Sequence, residues 1–226
     1  MTDVGARVKE VRTRMTRAAQ QAGRRAEDVT LIAISKTFSV DRIAQAIEAG
    51  ITDVGENRAA EMTSKMDELA SPSLRWHFVG HVQSNKVKDL VARAAFIHSL
   101  DRMSLAERLS RRAATTDATV RVLVQVNVAG EASKHGVDPD DVDKLAEDAA
   151  RLPGIEVVGL MCIPPAPQAS EDSAPYFAEL ARRRDRVARN LPSVIELSMG
   201  MSRDYEVAIA EGATMIRLGE AIFGPR

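Results

Sequence analysis

The sequence predicts a single (β/α)₈ barrel with one extra helix in front, a TIM barrel of the α/β class spanning residues 1–226. Three observations predict it. Short apolar runs recur along the chain, each is followed by a stretch with helical spacing, and eight such pairs can be counted. Strands this apolar, each leading into a helix, read as parallel strands covered on their outer face. Eight units close naturally on themselves, and 226 residues is the size a complete barrel needs. An open doubly wound sheet uses fewer strands and leaves part of this count without a place.

The segment from Asp3 to Gly23 carries Val8, Val11, Met15, Ala18 and Ala19 at helical spacing between charges, with Gly23 as its stop. The repeat then begins. Strand 29–34 precedes helix 41–48, strand 52–54 precedes helix 58–69, and strand 76–79 precedes helix 85–91. Strand 95–97 leads to helix 103–114, and 120–126, the most β-branched run, leads to helix 141–152. Strand 155–160 precedes helix 176–190, strand 193–197 precedes helix 203–210, and strand 214–218 closes the series before a short turn led by Glu220. The Pro164, Pro165, Pro167 stretch reads as a loop after strand six, and no low-complexity linker divides the chain.

Composition narrows the function classes. Apolar residues make up 45% of the chain, enough for a sizeable core, and 31 basic against 32 acidic residues leave nothing global to recruit nucleic acid or anionic lipid. Cys162 is the one cysteine, so no intrachain disulfide forms and a reducing compartment is expected. The N-terminal stretch lacks the apolar core of a secretory signal, and no run approaches the roughly 20 apolar residues of a membrane helix. A cytoplasmic protein with no membrane or nucleic-acid partner is the expectation.

In a barrel the site lies at the C-terminal ends of the strands. Lys36 stands directly after the apolar run of strand one, where its stem points into the mouth. Two readings stand there. A desolvated lysine has a depressed pKa and its neutral amine can form an imine with a carbonyl; alternatively Lys36 is a structural cation paired with a carboxylate such as Glu56. The loops after strands seven and eight, Ser198-Met199-Gly200-Met201-Ser202 and Arg217-Leu218-Gly219-Glu220, occupy the positions where barrels bind phosphate. Ordinary strand-to-helix turn chemistry would also explain either loop alone. A phosphate site facing an aldehyde-reactive lysine points to pyridoxal 5′-phosphate (PLP).

The stretches AISKT, VGENRAAE, WHFVGHVQSNK, GEASKHG, GLMCIPP, LSMGMSRDYEVAI and IRLGEAIFG fall in order at strand ends. They resemble the pyridoxal phosphate homeostasis protein family, which is related to the N-terminal barrel of alanine racemase, fold type III among PLP proteins. The resemblance runs from about Val29 to Gly224. It implies a Schiff base between PLP and Lys36, with phosphate held around Ser198, Gly200, Gly219 and Glu220. It also implies that Arg217 faces the pyridine nitrogen and that Asn57, His81 and Met161 line the ring's surroundings. Many relatives carry a small hydroxyl residue where this chain has Glu220. A carboxylate cannot donate to phosphate, so contact there must come from the backbone N–H, with the charge pointing away. Arg217 can only donate, which keeps a pyridine nitrogen it meets unprotonated and the ring a weak electron sink. Pairing of Arg217 with Glu220 or another barrel carboxylate is the other reading of that residue.

The resemblance implies a protein that holds PLP, acts in its homeostasis and passes it to apo-forms of PLP-dependent enzymes, without robust turnover. Two other classes compete. Racemisation needs acid/base groups on both faces of the substrate carbon, and in alanine racemase the second is a tyrosine from another domain. Here Tyr176 and Tyr205 fall in predicted helices, and no such domain is expected within 226 residues; without that dimerising domain a monomer is expected. A Schiff-base aldolase using Lys36 on a sugar-phosphate carbonyl is the third class. Lys86 and Lys134 read as solvated lysines or secondary aldehyde-binding sites. His77 and His81 do not share a helix face as in a zinc HExxH site, so no metal is expected, and His77 reads as a core residue.

Overall fold

A computed structural model describes residues 3–131 and 135–225. Eight parallel strands follow the chain in order around a closed barrel: β1 (Thr30–Ile34), β2 (Asp53–Glu56), β3 (Arg75–Phe78), β4 (Phe96–Leu100), β5 (Val120–Val126), β6 (Ile155–Cys162), β7 (Glu196–Ser198) and β8 (Met215–Leu218). Pairing of β1 with β8, from Thr30 opposite Met215 to Ala33 opposite Leu218, closes the ring. The helices between them are α2 (Val40–Glu48), α3 (Ala59–Leu69), α4 (Val87–Val91), α5 (Met103–Ala114), α6 (Val142–Ala150), α7 (Ala174–Ala188) and α8 (Tyr205–Ala210). A short α9 (Glu220–Phe223) follows β8, and α1 (Val4–Gln21) precedes the barrel.

Alternation along each strand decides what lies inside. In β5, Val120, Val122, Val124 and Val126 face outward into the large core under the helices, while Leu123 joins the interior cluster with Ile32, Ile34, Phe96, Val158, Met161 and Met215. The helices answer with apolar stripes; α5 buries Leu105, Ala106, Leu109 and Ala113. The front helix behaves the same way. Asp3 caps it by accepting from the Gly5 N–H at 3.0 Å, and Val4, Val8, Val11, Met15, Ala18 and Ala19 are buried. Each large side chain of that stripe contributes about 1.5–3 kcal/mol, and the helix packs on α8, α9 and α2. It thereby braces the loops at the ends of β7 and β8.

The interior departs from an all-apolar barrel. Asp53, His77, His98, Ser198 and Arg217 are buried polar residues on β2, β3, β4, β7 and β8. Buried polar groups need hydrogen-bond partners, and those partners, described below, are one another. Several strand boundaries differ from the sequence expectation. β4 runs on through His98 and Ser99, β6 reaches Cys162, and β7 starts at Glu196 rather than 193, since residues 193–195 make the turn from helix to strand.

Candidate functional site

The loop after β1 is held rigidly from β2 and α3. The Ser35 N–H donates to Gly55 O at 3.0 Å and its hydroxyl donates to Glu56 Oε1 at 2.6 Å. The Lys65 ammonium, on α3, donates to Ser35 O, Glu56 Oε1 and Glu61 Oε1, each at 2.7 Å. Glu61 Oε1 also accepts from the Thr37 N–H at 2.7 Å. Thr37 adopts φ 69°, a left-handed backbone unusual for a β-branched residue, and the Glu61 contact fixes it there. Phe38 stacks against Phe223 of α9, with ring centroids 4.8 Å apart. Lys36 is therefore carried, half-buried, on a peptide anchored at both neighbours. Glu56 is not its counter-ion: Glu56 sits under Ser35 and pairs with Lys65, which corrects that reading of Lys36. Burial pushes the Glu56 carboxyl up, against the pull of the Lys65 ammonium and the Ser35 hydroxyl.

On β8, the strand paired with β1, Arg217 is buried. Its guanidinium donates to Ser198 Oγ at 2.6 Å and to Cys162 O at 2.8 Å. Among the described residues no carboxylate lies within 4 Å of it, so its pairing with Glu220 is not what the fold makes. Desolvation lowers its pKa from the ordinary arginine value, yet an arginine stays charged. The Ser198 hydroxyl is turned inside the barrel, where Arg217 and His98 engage it. With its hydroxyl engaged there, Ser198 places its neighbours Met199 and Gly200, rather than its own side chain, in the loop after β7.

The β7 and β8 loops are built as one unit. Gly200 has φ 91°, and a Cβ there would stand 2.6 Å from the Ala208 Cβ and 3.0 Å from the Tyr205 Cα, so only glycine lets the loop lie on α8. Gly200 O accepts from the Arg217 N–H at 3.0 Å. Buried Asp204 ties the loop down, accepting from the Met201 N–H and the Ser173 hydroxyl, both at 2.7 Å. The Ala221 N–H donates to Ser202 Oγ at 3.2 Å, joining α9 to the loop. Gly219 is the N-cap of α9. Glu220 is exposed and lines an open cavity of about 300 Å³ together with Arg7, Glu10, Arg14, Arg203 and Tyr205.

The remaining expected residues separate. Met161 is buried in the barrel interior, and Asn57 is exposed after β2. Gly80 packs so tightly on Asn57 that a Cβ would lie 2.1 Å from its carbonyl oxygen. His81 turns toward the next loop: its Nδ1 is 3.2 Å from Asp101 Oδ2, and its ring stacks on His135 at 4.1 Å. One ligand atom from each of His81, Asp101 and His135 falls within 4.8 Å of the others, a donor set that could take a borderline divalent cation. Arg102, paired with the other Asp101 oxygen, places a positive charge beside it. Sequence reasoning missed this trio because its members lie on three separate loops. It also missed Asp53, His98 and Lys65; polar residues inside otherwise apolar strands were the available signal for the first two. Lys86 is half-buried in the turn before α4, and Lys134 lies outside the described residues.

Residues 9–226 match the family described as alanine racemase, N-terminal domain. A pyridoxal phosphate homeostasis protein of Aquifex aeolicus is 42% identical over 221 residues, 97% of either chain. One from Pseudomonas aeruginosa is 41% identical over 226 residues, all of this chain and 97% of that one. Among solved structures, PipY of Synechococcus elongatus PCC7942 with PLP bound shares the fold at TM-score 0.86 and 33% identity, covering 98% of this chain and 100% of that one.

Proposed function

The chain belongs to the pyridoxal phosphate homeostasis proteins, on the alanine racemase N-terminal-domain fold, and we propose that it holds PLP at its barrel mouth and takes part in intracellular homeostasis of that cofactor. The observation that carries this reading is an anchored strand-end lysine sharing one mouth with a buried arginine that, among the described residues, has no carboxylate within 4 Å. A buried guanidinium without a direct carboxylate partner suits a group that accepts a hydrogen bond, as an unprotonated ring nitrogen does. The glycine-bearing loop held by Asp204 and the first turn of α9 suit a phosphate through backbone N–H groups.

Lys36 would offer the amine, and PLP, when bound, would supply an aldehyde able to condense with it. Ser35, Glu61 and Lys65 keep the amine's carrier peptide in place. Ser202 and the loop backbone would hold the phosphate, with Gly200 allowing close approach. Arg217 would donate to the ring nitrogen and, being always charged, would keep it without a proton. That restrains carbanion chemistry and favours holding over turnover. Tyr205 is buried on α8 with Arg14 over its ring at 5.5 Å, and Tyr176 lies on α7, so neither tyrosine stands at the strand ends to serve a second substrate face.

Delivery to apo-forms of PLP-dependent enzymes in the cytoplasm belongs to the same proposal, in line with a lone buried cysteine. So does a monomer: among the described residues the exposed large hydrophobics are Ile163 and Ile195. The test is the visible spectrum of purified protein with added PLP, wild type against Lys36→Ala. A band that borohydride fixes to Lys36, and that the variant lacks, is expected. Absence of the band in wild type, or stereospecific turnover of an amino acid, overturns the reading.

A further inference from the structure

A file of buried polar side chains crosses the barrel from its N-terminal end to Arg217. It starts at Asp53, the first residue of β2, whose Oδ2 accepts from the Thr52 hydroxyl and from Arg75, both at 2.8 Å. Asp53 Oδ1 lies 2.8 Å from His77 Nε2, and His77 Nδ1 lies 2.9 Å from His98 Nε2. His98 Nδ1 lies 2.8 Å from Ser198 Oγ, which accepts from Arg217 at 2.6 Å. All five are buried, and the His77 ring is further held by stacking on Phe96, with centroids 4.9 Å apart and planes 10° off parallel.

Chemistry gives this file one direction. A carboxylate only accepts and a guanidinium only donates. Burial lowers the pKa of both imidazoles, for His77 against the pull of Asp53, so each carries a single ring proton. His77 must then donate from Nε2 to Asp53 and accept at Nδ1. His98 must donate from Nε2 to His77 and accept at Nδ1, and the Ser198 hydroxyl donates to His98 while accepting from Arg217. Reversing any one member sets two donors or two acceptors face to face. Each bond polarises the next in the same sense.

We propose that Asp53, His77, His98 and Ser198 are positioning residues for Arg217. Their one-way file holds the guanidinium in a single orientation toward the ring nitrogen. The ring-directed half of this rests on the PLP reading above; the file itself does not.

Long-range ¹H–¹⁵N spectra of the imidazoles in PLP-free protein test the file without the cofactor. His77 and His98 are each expected to show a protonated Nε2 and a bare Nδ1 at about pH 7. A proton on Nδ1 of either ring, or on both nitrogens, overturns the one-way file. Two shape-preserving variants test its effect. Ser198→Ala removes one link, and Asp53→Asn removes the charge while keeping an acceptor. Expected are mixed tautomers in Asp53→Asn and rotational averaging of the Arg217 Nη signals in both. PLP should also dissociate about tenfold more readily, the size of one lost charge-assisted hydrogen bond. Unchanged Arg217 signals and unchanged PLP affinity in both variants overturn the positioning role. If wild type shows the expected tautomers but takes up no PLP, the cofactor reading falls, and the ring-directed half with it.

Discussion

Lys65→Met removes an ammonium that meets three acceptors at 2.7 Å and leaves Glu56 buried beneath Ser35. Methionine matches the lysine stem in length, so the change is one of charge more than of volume. Glu61, with 21% of its side chain exposed, contributes a few tenths of a kcal/mol at most through its i,i+4 pair. Glu56 is fully buried, and stripping one partner from a buried pair costs about 3–5 kcal/mol. The cost has a ceiling, because Glu56 can take up a proton instead. Its pKa, already raised, rises further in the variant, so the folded form holds its proton above the unfolded value. The penalty is therefore smallest at acid pH and grows with pH, by up to about 1.4 kcal/mol per unit, until the folded pKa is passed. Urea unfolding at about pH 5 and pH 7.5, followed by circular dichroism, measures both the loss and its slope. Lys65→Met/Glu56→Gln removes the buried charge and should recover about half the loss or more. A loss below about 1 kcal/mol, or no recovery in the double variant, would refute the clamp. A clamp that fails should also loosen PLP, since Ser35 and Thr37 flank Lys36.

Acid should weaken the protein through His77 and His98. Their native pKa values are lowered chiefly by burial, so below about pH 6.5 the unfolded chain binds a proton on each that the native state does not. Stability is thus full above that pH and falls beneath it by up to about 1.4 kcal/mol per unit per histidine; urea midpoints unchanged between about pH 7.5 and 5.5 would contradict this. Cys162 should be inert in the native state, because burial pushes its thiol up to about 12. Ellman's reagent should therefore detect it only after denaturation. Gly200→Ala forces a Cβ to 2.6 Å from Ala208 at φ 91°. It should cost about 1–3 kcal/mol and weaken PLP retention, both absent if the loop can move aside freely.

The barrel was legible because its causes are local. A strand covered on both faces must be apolar along its length, and a helix on such a sheet must show a stripe, so eight runs and eight stripes identify the architecture before any contact is known. Lys36, Gly200, Arg217 and Gly219 were legible by position, as strand-end residues in a fold that works at its strand ends. Polar residues inside a strand hide part of it, because they interrupt the apolar run that marks it. His98 and Ser99 cut β4 short in the pattern, although the fold runs the strand through them.

The sequence by itself determined the fold class, the end of the barrel that carries the site and the kind of chemistry a lysine there can do. Tertiary structure alone decided the partners. Glu56 belongs to Lys65 instead of Lys36, Arg217 to Ser198 and the Cys162 carbonyl instead of Glu220, and His81 to Asp101 and His135. Every one of these pairings joins residues from different elements of the barrel. The physical reason is that backbone propensity and apolar periodicity act within a few residues, whereas a buried charge takes whatever donor barrel closure and strand stagger bring within 3 Å of it.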